Sequence, residues 1–307
     1  MASLEVYDRQ VALLVRLLPA IACEPVLALK GGTAINLFVR DLPRLSVDID
    51  LTYLPVEPRD DSLKGIDAAL ERIMVNIKKT IGGAQVHVQR SIEGHIERLH
   101  VQAGVTVKIE VTPVLRGVVF DPVTMTVTGS VEDRYGFAET LVVSQADLYA
   151  GKLVAAFDRQ HPRDLFDVKL LLENEGVSDN LRRAFVVYVL ESQKPLNAIL
   201  APHRKDIAAK YEQEFRGMPL IEDPGLEALL QVREQMIAVL VGAMPEAHRR
   251  FLLSFKRGEP DWPLLGLPHV ADLPAVRFRM QKLAALPPAA RAEQLGRLEA
   301  ALSTPHA

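Results

Sequence analysis

The sequence has almost no cysteine. A single residue, Cys23, stands among 307, so neither an intramolecular disulfide nor a cysteine-rich zinc site can form within the chain. Because Cys23 lies in an apolar stretch, we expect a small buried side chain rather than a nucleophile.

Long apolar runs are also missing. No stretch approaches the about 20 residues that a helix needs to span a bilayer. Charged residues, among them Glu5, Asp8 and Arg9, interrupt the segment Met1–Pro19, which therefore lacks the apolar region of a signal peptide. We expect a cytoplasmic protein with no membrane partner.

The chain has no excess of positive charge. Its 36 lysines and arginines are balanced by 39 acidic residues, for a net charge of −3. Any contact with nucleic acid would therefore need a local basic patch rather than a basic protein. The apolar content of 49% is that of an ordinary globular protein.

Several catalytic motifs are absent. The eight histidines include no His-Glu-x-x-His metal motif. No Gly-x-Ser-x-Gly nucleophile elbow occurs, and no Gly-Lys-Ser/Thr P-loop. These absences argue against a zinc protease, an α/β-hydrolase and a P-loop ATPase.

What the sequence does contain is a glycine turn between a strand and a helix. Val26–Leu29 has the pattern of a buried strand, and Thr33–Val39 has apolar residues at helical spacing. Gly31 and Gly32 lie between them, where backbone N–H groups at a helix start can meet phosphates. A glycine pair alone also fits many ordinary turns.

Two aspartates follow on a second strand. Alternation within 47–51 sends Val47, Ile49 and Leu51 to one face and both Asp48 and Asp50 to the other. Carboxylates about 7 Å apart along a strand can bind Mg²⁺, which itself bridges triphosphate oxygens. The alternative is a solvated face, but the adjoining glycine turn favours the metal site.

A third carboxylate comes from Glu110. The segment 105–111 alternates cleanly, with Thr106, Lys108 and Glu110 on its polar face. If this strand pairs beside that of Asp48 and Asp50, Glu110 can complete a three-carboxylate cluster for two-metal phosphoryl transfer. By itself, Glu110 would be an ordinary solvated glutamate.

These motifs resemble a known family. Gly-Gly-Thr, a short loop and then Arg44-x-Ser46-x-Asp48-x-Asp50 resemble the nucleotidyltransferases of the AbiEii toxin family, which include the MenT toxins. In the wider polymerase-beta-like superfamily the turn is usually Gly-Ser. Here Thr33 replaces the serine and keeps a hydroxyl at the helix start.

The resemblance also decides how Lys152 is interpreted. Flanked by small and apolar residues, this lysine either extends to solvent or points into a cleft. AbiEii-type enzymes carry a lysine on one helix and an aspartate in an Arg-Asp-x-x-Asp-like segment of the next, and Lys152 and Asp167 match these positions. Arg163 and Asp164 belong to the same motif. Alone, Asp164 would suit the first turn of a helix.

The resemblance thus implies a set of site residues. The catalytic residues are Asp48, Asp50, Lys152 and Asp167. The nucleotide-binding residues are Gly31, Gly32, Thr33, Arg44, Ser46 and Lys152. The metal ligands are Asp48, Asp50 and Glu110, with Mg²⁺ as cofactor and Mn²⁺ as an alternative. Ser46, near Asp48, matches a position that is phosphorylated in some relatives.

The pattern of elements predicts an α/β (α+β) fold in two parts. Residues 1–143 form the α/β lobe, and an all-helical lobe follows in residues 144–307. The resemblance implies that the first lobe has the polymerase-beta-like nucleotidyltransferase fold with a mixed sheet. The predicted helices are Leu4–Leu18, Ser62–Thr80, Asp147–Asp158, Asp164–Glu175, Asn180–Gln193, Lys205–Phe215, Pro224–Val241 and Pro287–Ala307. The further predicted strands are Gln85–Arg90, His95–Gln102, Val105–Thr112, Val123–Thr128 and Thr140–Val143.

The implied function is that of a toxin held in check by a separate antitoxin protein. Such an enzyme transfers a nucleoside monophosphate from an NTP to RNA, with the tRNA 3′ end as the expected acceptor, and so inhibits translation. Two alternatives stay open: transfer to a protein or small molecule, and a non-catalytic module that binds RNA or a partner.

Overall fold

The computed structural model describes residues 4–303. They form two compact units. The first comprises the residues up to Ser144 together with the short segment Gly217–Glu222. The second comprises Gln145–Arg216 and the residues from Asp223 onward. A return of the chain to the first unit after the second has begun was not part of the predicted division.

The first unit is built on one mixed sheet of seven strands in the order β3-β4-β5-β2-β1-β7-β6. The pairs β2–β5 and β1–β7 are parallel, and the other pairs are antiparallel. The strands are β1 Leu27–Lys30, β2 Asp48–Tyr53, β3 Gln85–Arg90, β4 Ile96–Gln102, β5 Thr106–Arg116, β6 Val123–Thr126 and β7 Glu139–Val142. The predicted mixed sheet is confirmed, and the predicted limits of β3 match those observed.

The two faces of this sheet differ in character because side chains alternate along each strand. Ile49, Leu51, Val107 and Ile109 are fully buried. Their face contacts two long helices, α1 (Leu4–Ala22) and α3 (Arg59–Thr80). The opposite face carries the polar residues of β2 and β5, including those predicted to form the site.

Helix α1 continues past the residue that was predicted to end it. Pro19 lies inside the helix with its ring on the exposed side. Cys23 follows this helix and is exposed, so the prediction of a buried cysteine is wrong. The Cys23 thiol donates to the Pro19 carbonyl.

Two short helices complete the first unit. Helix α2 (Gly31–Ala34) continues as a π-helical turn over Ile35–Val39, and α4 comprises Gly129–Tyr135. The segment Gly217–Glu222 joins the unit near Arg44, which forms an antiparallel bridge with Pro219.

The second unit is helical, as predicted. Its helices are α5 Gln145–Arg159, α6 Pro162–Asn174, α7 Asp179–Glu191, α8 Leu196–Leu200, α9 Ala208–Lys210, α10 Gly225–Ile237, α11 Glu246–Arg257, α12 Pro274–Ala284 and α13 Pro288–Ser303. Aromatic contacts hold its core, with ring centroids 5.3 Å apart for Phe157–Phe185 and 5.5 Å apart for Phe166–Phe215.

Two of the predicted helices are less regular than expected. The segment predicted as one helix over Lys205–Phe215 is the short α9 followed by a π-helical turn at Tyr211–Phe215. The helix predicted over Pro224–Val241 likewise ends in a π-helical turn, Ala238–Gly242. Residues 304–307 of the predicted last helix lie outside the described residues.

Among residues 4–303, no helix combines the length and apolar character that crossing a membrane would require.

Candidate active site

The turn between β1 and α2 is shaped by its two glycines. Gly31 has a φ of +77°, and a Cβ there would lie 2.5 Å from Asp50 Oδ2. A Cβ on Gly32 would lie 2.9 Å from Ser46 Oγ and 3.1 Å from Arg44 Nη2. Neither position accepts a side chain without displacement of its neighbours. The backbone of the turn therefore lies directly against the residues predicted to bind nucleotide and metal.

The residue before α2 does not cap the first turn of this helix with its side chain. Lys30 is extended, with φ −140° and ψ −171°, and its side chain makes no capping hydrogen bond. The first N–H groups of a helix have no intrahelical acceptor, so those of this turn are left to water or a ligand. This backbone geometry suits the phosphate-binding role predicted for Gly31 and Gly32.

Thr33 is fully buried and uses its hydroxyl within the protein. Its Oγ1 lies 3.1 Å from Ser46 Oγ and donates to the Asp48 carbonyl oxygen at 2.5 Å. The side chain thereby ties α2 to the segment that enters β2. What Thr33 can offer a phosphate is its backbone N–H in the first turn of the helix.

Arg44 is buried in the same loop, at 3% exposure. Its Nη1 donates to the Leu45 carbonyl at 3.1 Å, and the guanidinium lies beside Gly32. The returning segment braces this loop, since the Leu220 N–H donates to the Pro43 carbonyl at 2.8 Å. Arg44 is therefore fixed in place next to the glycine turn.

Asp48 and Asp50 point to the polar face of β2, as the alternation predicted. Asp50 stands opposite Lys30 on β1 and opposite Glu110 on β5. Burial, followed by the negative charge of Asp48, raises the pKa of the Asp50 carboxyl above its usual value. The two aspartates thus lie near enough to repel each other, and a bound cation would relieve this repulsion.

The Glu110 strand pairs with the aspartate strand, which was the condition for a metal role of Glu110, but Glu110 already has cationic partners. Its Oε2 lies 2.9 Å from Arg98 Nε and 3.2 Å from Lys108 Nζ. Burial raises the pKa of the Glu110 carboxyl, but Arg98 and Lys108 outweigh it and hold that pKa below its usual value. Glu110 is therefore not the free, solvated glutamate of the alternative interpretation.

Lys108 also approaches Asp48, with Nζ 3.7 Å from Oδ2. Within residues 4–303, no group of three or more His, Cys, Asp or Glu side chains is arranged to hold a metal ion. Lysine and arginine charges instead compensate the carboxylates on this face. Assignment of Glu110 as a metal ligand stays a prediction.

In the second unit, Lys152 does not extend to solvent. Its side chain is 8% exposed, and Nζ lies 2.9 Å from Asp164 Oδ1 and 2.9 Å from Asp167 Oδ2. Helix α5 supplies the lysine, and α6 supplies both aspartates. The structure therefore brings together Lys152 and Asp167, the pair that the motif predicted.

Asp164 is more than a first-turn helix residue. It is buried and also lies 2.9 Å from the Nη2 atom of Arg159, a largely exposed arginine. Burial raises the pKa of the Asp164 carboxyl, but Lys152 and Arg159 outweigh it and keep that pKa below its usual value. Arg163, by contrast, is exposed.

Three basic residues at these sites were not predicted to take part. Lys30 directly precedes the glycine pair, and its charge acts to lower the pKa of Asp50. Lys108 and Arg98 share the polar sheet face with Glu110. The alternation of β4 and β5 gave a signal for both, but which strands are neighbours could not be read from either strand alone.

Comparisons with known proteins identify relatives. The family model described as "Nucleotidyl transferase AbiEii toxin, Type IV TA system" matches residues 12–277. No curated protein matches the chain. Among solved structures, the chain is similar to MenT4, a nucleotidyltransferase toxin from Mycobacterium tuberculosis H37Rv. That alignment covers 99% of this chain and 96% of the other, with 18% identity and a TM-score of 0.49.

Proposed function

Because this chain belongs to the AbiEii family of toxin nucleotidyltransferases, we propose that it transfers a nucleoside monophosphate from an NTP to RNA. The proposed acceptor is the 3′ end of tRNA, whose modification would stop translation. A cognate antitoxin would hold the activity in check, and enzyme and substrates would meet in the cytoplasm.

The observation that carries the proposal is the position of Asp48 and Asp50 beside the glycine turn. Both are on one face of β2, and Asp50 lies so close to Gly31 that a side chain there would collide with its carboxylate. A nucleotidyl transfer needs this combination, because the triphosphate must be held next to the metal ions that compensate its charge, and Asp48 and Asp50 would hold those ions.

The residues present fit a hard divalent cation. Carboxylate oxygens are the ligands that Mg²⁺ prefers. Burial, followed by the negative charge of Asp48, raises the pKa of the Asp50 carboxyl, and a bound cation would relieve the repulsion between the two carboxylates. Asp48 and Asp50 would hold the ion, with Glu110 assisting. When bound, Mg²⁺ supplies positive charge to the triphosphate and leaving group; Mn²⁺ offers the same chemistry.

The protein groups would divide the remaining tasks. The N–H groups of Gly31 and Gly32 would bind terminal phosphate oxygens, with Arg44 and Ser46 beside them. Lys30, which directly precedes the turn, would add a positive charge. These groups fix the triphosphate in one orientation, which is the main contribution of a protein to phosphoryl transfer.

Lys152 would neutralise negative charge on the triphosphate as pyrophosphate departs. Asp167, fully buried and 2.9 Å from the lysine Nζ, would orient it. Asp164 holds the same ammonium group, so Lys152 has a defined direction rather than the freedom of a surface lysine.

A second candidate is transfer of the nucleotide to a protein or small molecule. The net charge of −3 favours it, since many nucleic-acid-binding proteins are strongly basic. A non-catalytic module is disfavoured, because mutually repelling carboxylates such as Asp48 and Asp50 are a cost without a cation to bind.

The test is incubation of the protein with each of the four α-labelled NTPs, MgCl₂ and total RNA, followed by a gel that separates RNA from protein. Asp48→Asn serves as the inactive control. The proposal predicts label on RNA of tRNA size with the wild type alone. Label on protein would support the second candidate with a protein acceptor, and no label on RNA with any NTP would contradict the proposal.

A further inference from the structure

The polar face of the sheet extends well beyond the two aspartates. We call the part formed by β3 and β4 the outer sheet face. Its residues are Gln85, His87 and Gln89 of β3 and Arg98, His100 and Gln102 of β4. All three β3 residues and Gln102 are exposed, while Arg98 and His100 are half-buried.

Strand register organises this face into rows. One row runs His87, His100, Lys108 and Asp48 across four strands. A second row runs Gln89, Arg98, Glu110 and Asp50. Each row therefore starts at the edge strand β3 and ends on one of the two aspartates.

The outer sheet face consists of basic and neutral polar side chains. It contains two imidazoles, one guanidinium and three amides, with no carboxylate. The nearest carboxylate is Glu110, which Arg98 and Lys108 already compensate. Imidazole and guanidinium planes stack on unpaired bases, and side-chain amides bond to base edges. The face thus offers groups that bind single-stranded RNA.

A protein partner fits this face less well. The centre of a stable protein interface needs apolar or aromatic anchors in addition to polar groups. The alternating apolar residues of β3, Val86 and Val88, point to the other side of the sheet. A polar sheet face of imidazoles, amides and one guanidinium, in register with Asp48 and Asp50, favours RNA.

We propose that the outer sheet face binds the single-stranded segment that ends in the acceptor 3′ hydroxyl. This inference rests on the proposed transfer to RNA. Three strand spacings separate β3 from β2, which is about 14 Å and spans a short stretch of nucleotides. His87 and His100 would stack on bases, so that the strand end is presented to Asp48 and Asp50.

The test is binding of a ten-nucleotide RNA of mixed sequence with a 5′ fluorescein and a free 3′ hydroxyl. Affinity is measured by fluorescence anisotropy without NTP, using the full chain. The variant is His87→Ala/His100→Ala, and its control is Val88→Ala, which lies between His87 and Gln89 but on the opposite face. His87→Phe/His100→Phe keeps two flat rings and tests stacking directly.

We expect the double alanine variant to bind this RNA at least about tenfold more weakly, because it removes both rings on which bases would stack. Val88→Ala should bind as the wild type does, and the phenylalanine variant within about threefold of it. Equal binding by wild type and double alanine variant would overturn the proposal. Equal losses of RNA affinity in the alanine and phenylalanine variants would also overturn it, as would the absence of RNA binding by the wild type.

The failure of the proposed function would look different. If the wild type binds the RNA in a histidine-dependent manner but adds no nucleotide to it with any NTP, the surface assignment stands and transfer to RNA is wrong. If transfer occurs, the double alanine variant should raise KM for RNA with little change in kcat at saturating RNA, because neither histidine touches the reacting groups.

Discussion

At the scale of single residues, Gly31 is where backbone geometry and site chemistry meet. Gly31→Ala is expected to abolish transfer, because the new Cβ would lie 2.5 Å from Asp50 Oδ2 and displace that carboxylate. Gly83 is the matched control: its φ of +76° equals that of Gly31 within a degree, but a Cβ there meets nothing within 4 Å.

Both alanine variants carry the cost of a left-handed backbone, about 1–2 kcal/mol. Only Gly31→Ala should also lose activity. Transfer rates and urea midpoints of the two variants separate these effects. Loss of activity in both, or in neither, would mean that contact with Asp50 is not what requires glycine at position 31.

The structure predicts that replacing Lys152 will lower the stability of the protein. A solvent-facing lysine could be replaced at little cost in stability, but Lys152→Met leaves Asp164 and Asp167 buried without it. Breaking a buried ion pair from one side costs about 3–5 kcal/mol. Lys169→Met is the control, since it removes an exposed pair with Glu173 whose contribution is about 0.5 kcal/mol. Urea unfolding measures both.

A triple variant distinguishes the contribution of Lys152 to stability from its contribution to transfer activity. Lys152→Met/Asp164→Asn/Asp167→Asn removes the buried charges together, so much of the lost stability should return while transfer stays absent. Recovery of activity along with stability would show that Lys152 is structural only. If Lys152→Met and Lys169→Met lost equally small amounts of stability, the assignment of a buried ion-pair cluster around Lys152 would be wrong.

Residue-level prediction from the sequence succeeded where a local rule applied. Period-two alternation placed Asp48 and Asp50 on one face, and strand pairing then set Glu110 opposite Asp50. The rule could not show that Lys108 and Arg98 compensate Glu110, because those contacts depend on side-chain positions across two neighbouring strands. Likewise, the flanking sequence of Lys152 suited both a buried and an exposed lysine.

At the scale of elements, the pairing of α5 with α6 should depend on pH. The pKa of Asp164 is lower in the folded protein than its ordinary value of 3.8, so the unfolded chain binds its proton more readily. Its stabilising contribution is therefore complete above about pH 4 and is lost as the pH falls through the folded pKa.

The measurement is the free energy of unfolding in urea between about pH 5.5 and pH 2.5. Wild type should lose more stability over this interval than Asp164→Asn, which has no carboxyl to protonate at that position. Arg159→Gln, which removes one of the two charges that lower this pKa, should fall between them. Parallel curves for wild type and Asp164→Asn would contradict the assignment.

The limits of helices and strands were predicted best where turn residues mark both ends in the sequence. Strand β3 lies between Gly83 and the turn at Gly94, and its limits were predicted correctly. Helix α1 was cut short because proline usually ends a helix, although Pro19 on an exposed side is tolerated. The π-helical turns have no sequence pattern that distinguishes them from ordinary helix, so α2 and α10 were predicted as regular.

At the scale of the whole molecule, the division into an α/β part and a helical part was predicted from the change of pattern after residue 143. The return of Gly217–Glu222 to the first unit could not be predicted. It depends on a contact between Pro43 and Leu220, whose separation in sequence is too large for periodicity to reveal. The segment braces the loop of Arg44, so a distant part of the chain supports the candidate site.

The central claim is that Asp48 and Asp50 carry a metal-dependent transfer to RNA. The most direct measurement is incorporation of α-labelled NTP into total RNA over a Mg²⁺ titration by wild type, Asp48→Asn and Asp50→Asn, with urea midpoints confirming that all three are folded. We predict that either substitution lowers the rate by at least about 100-fold at every Mg²⁺ concentration. Rates near that of the wild type in both folded variants would contradict the claim.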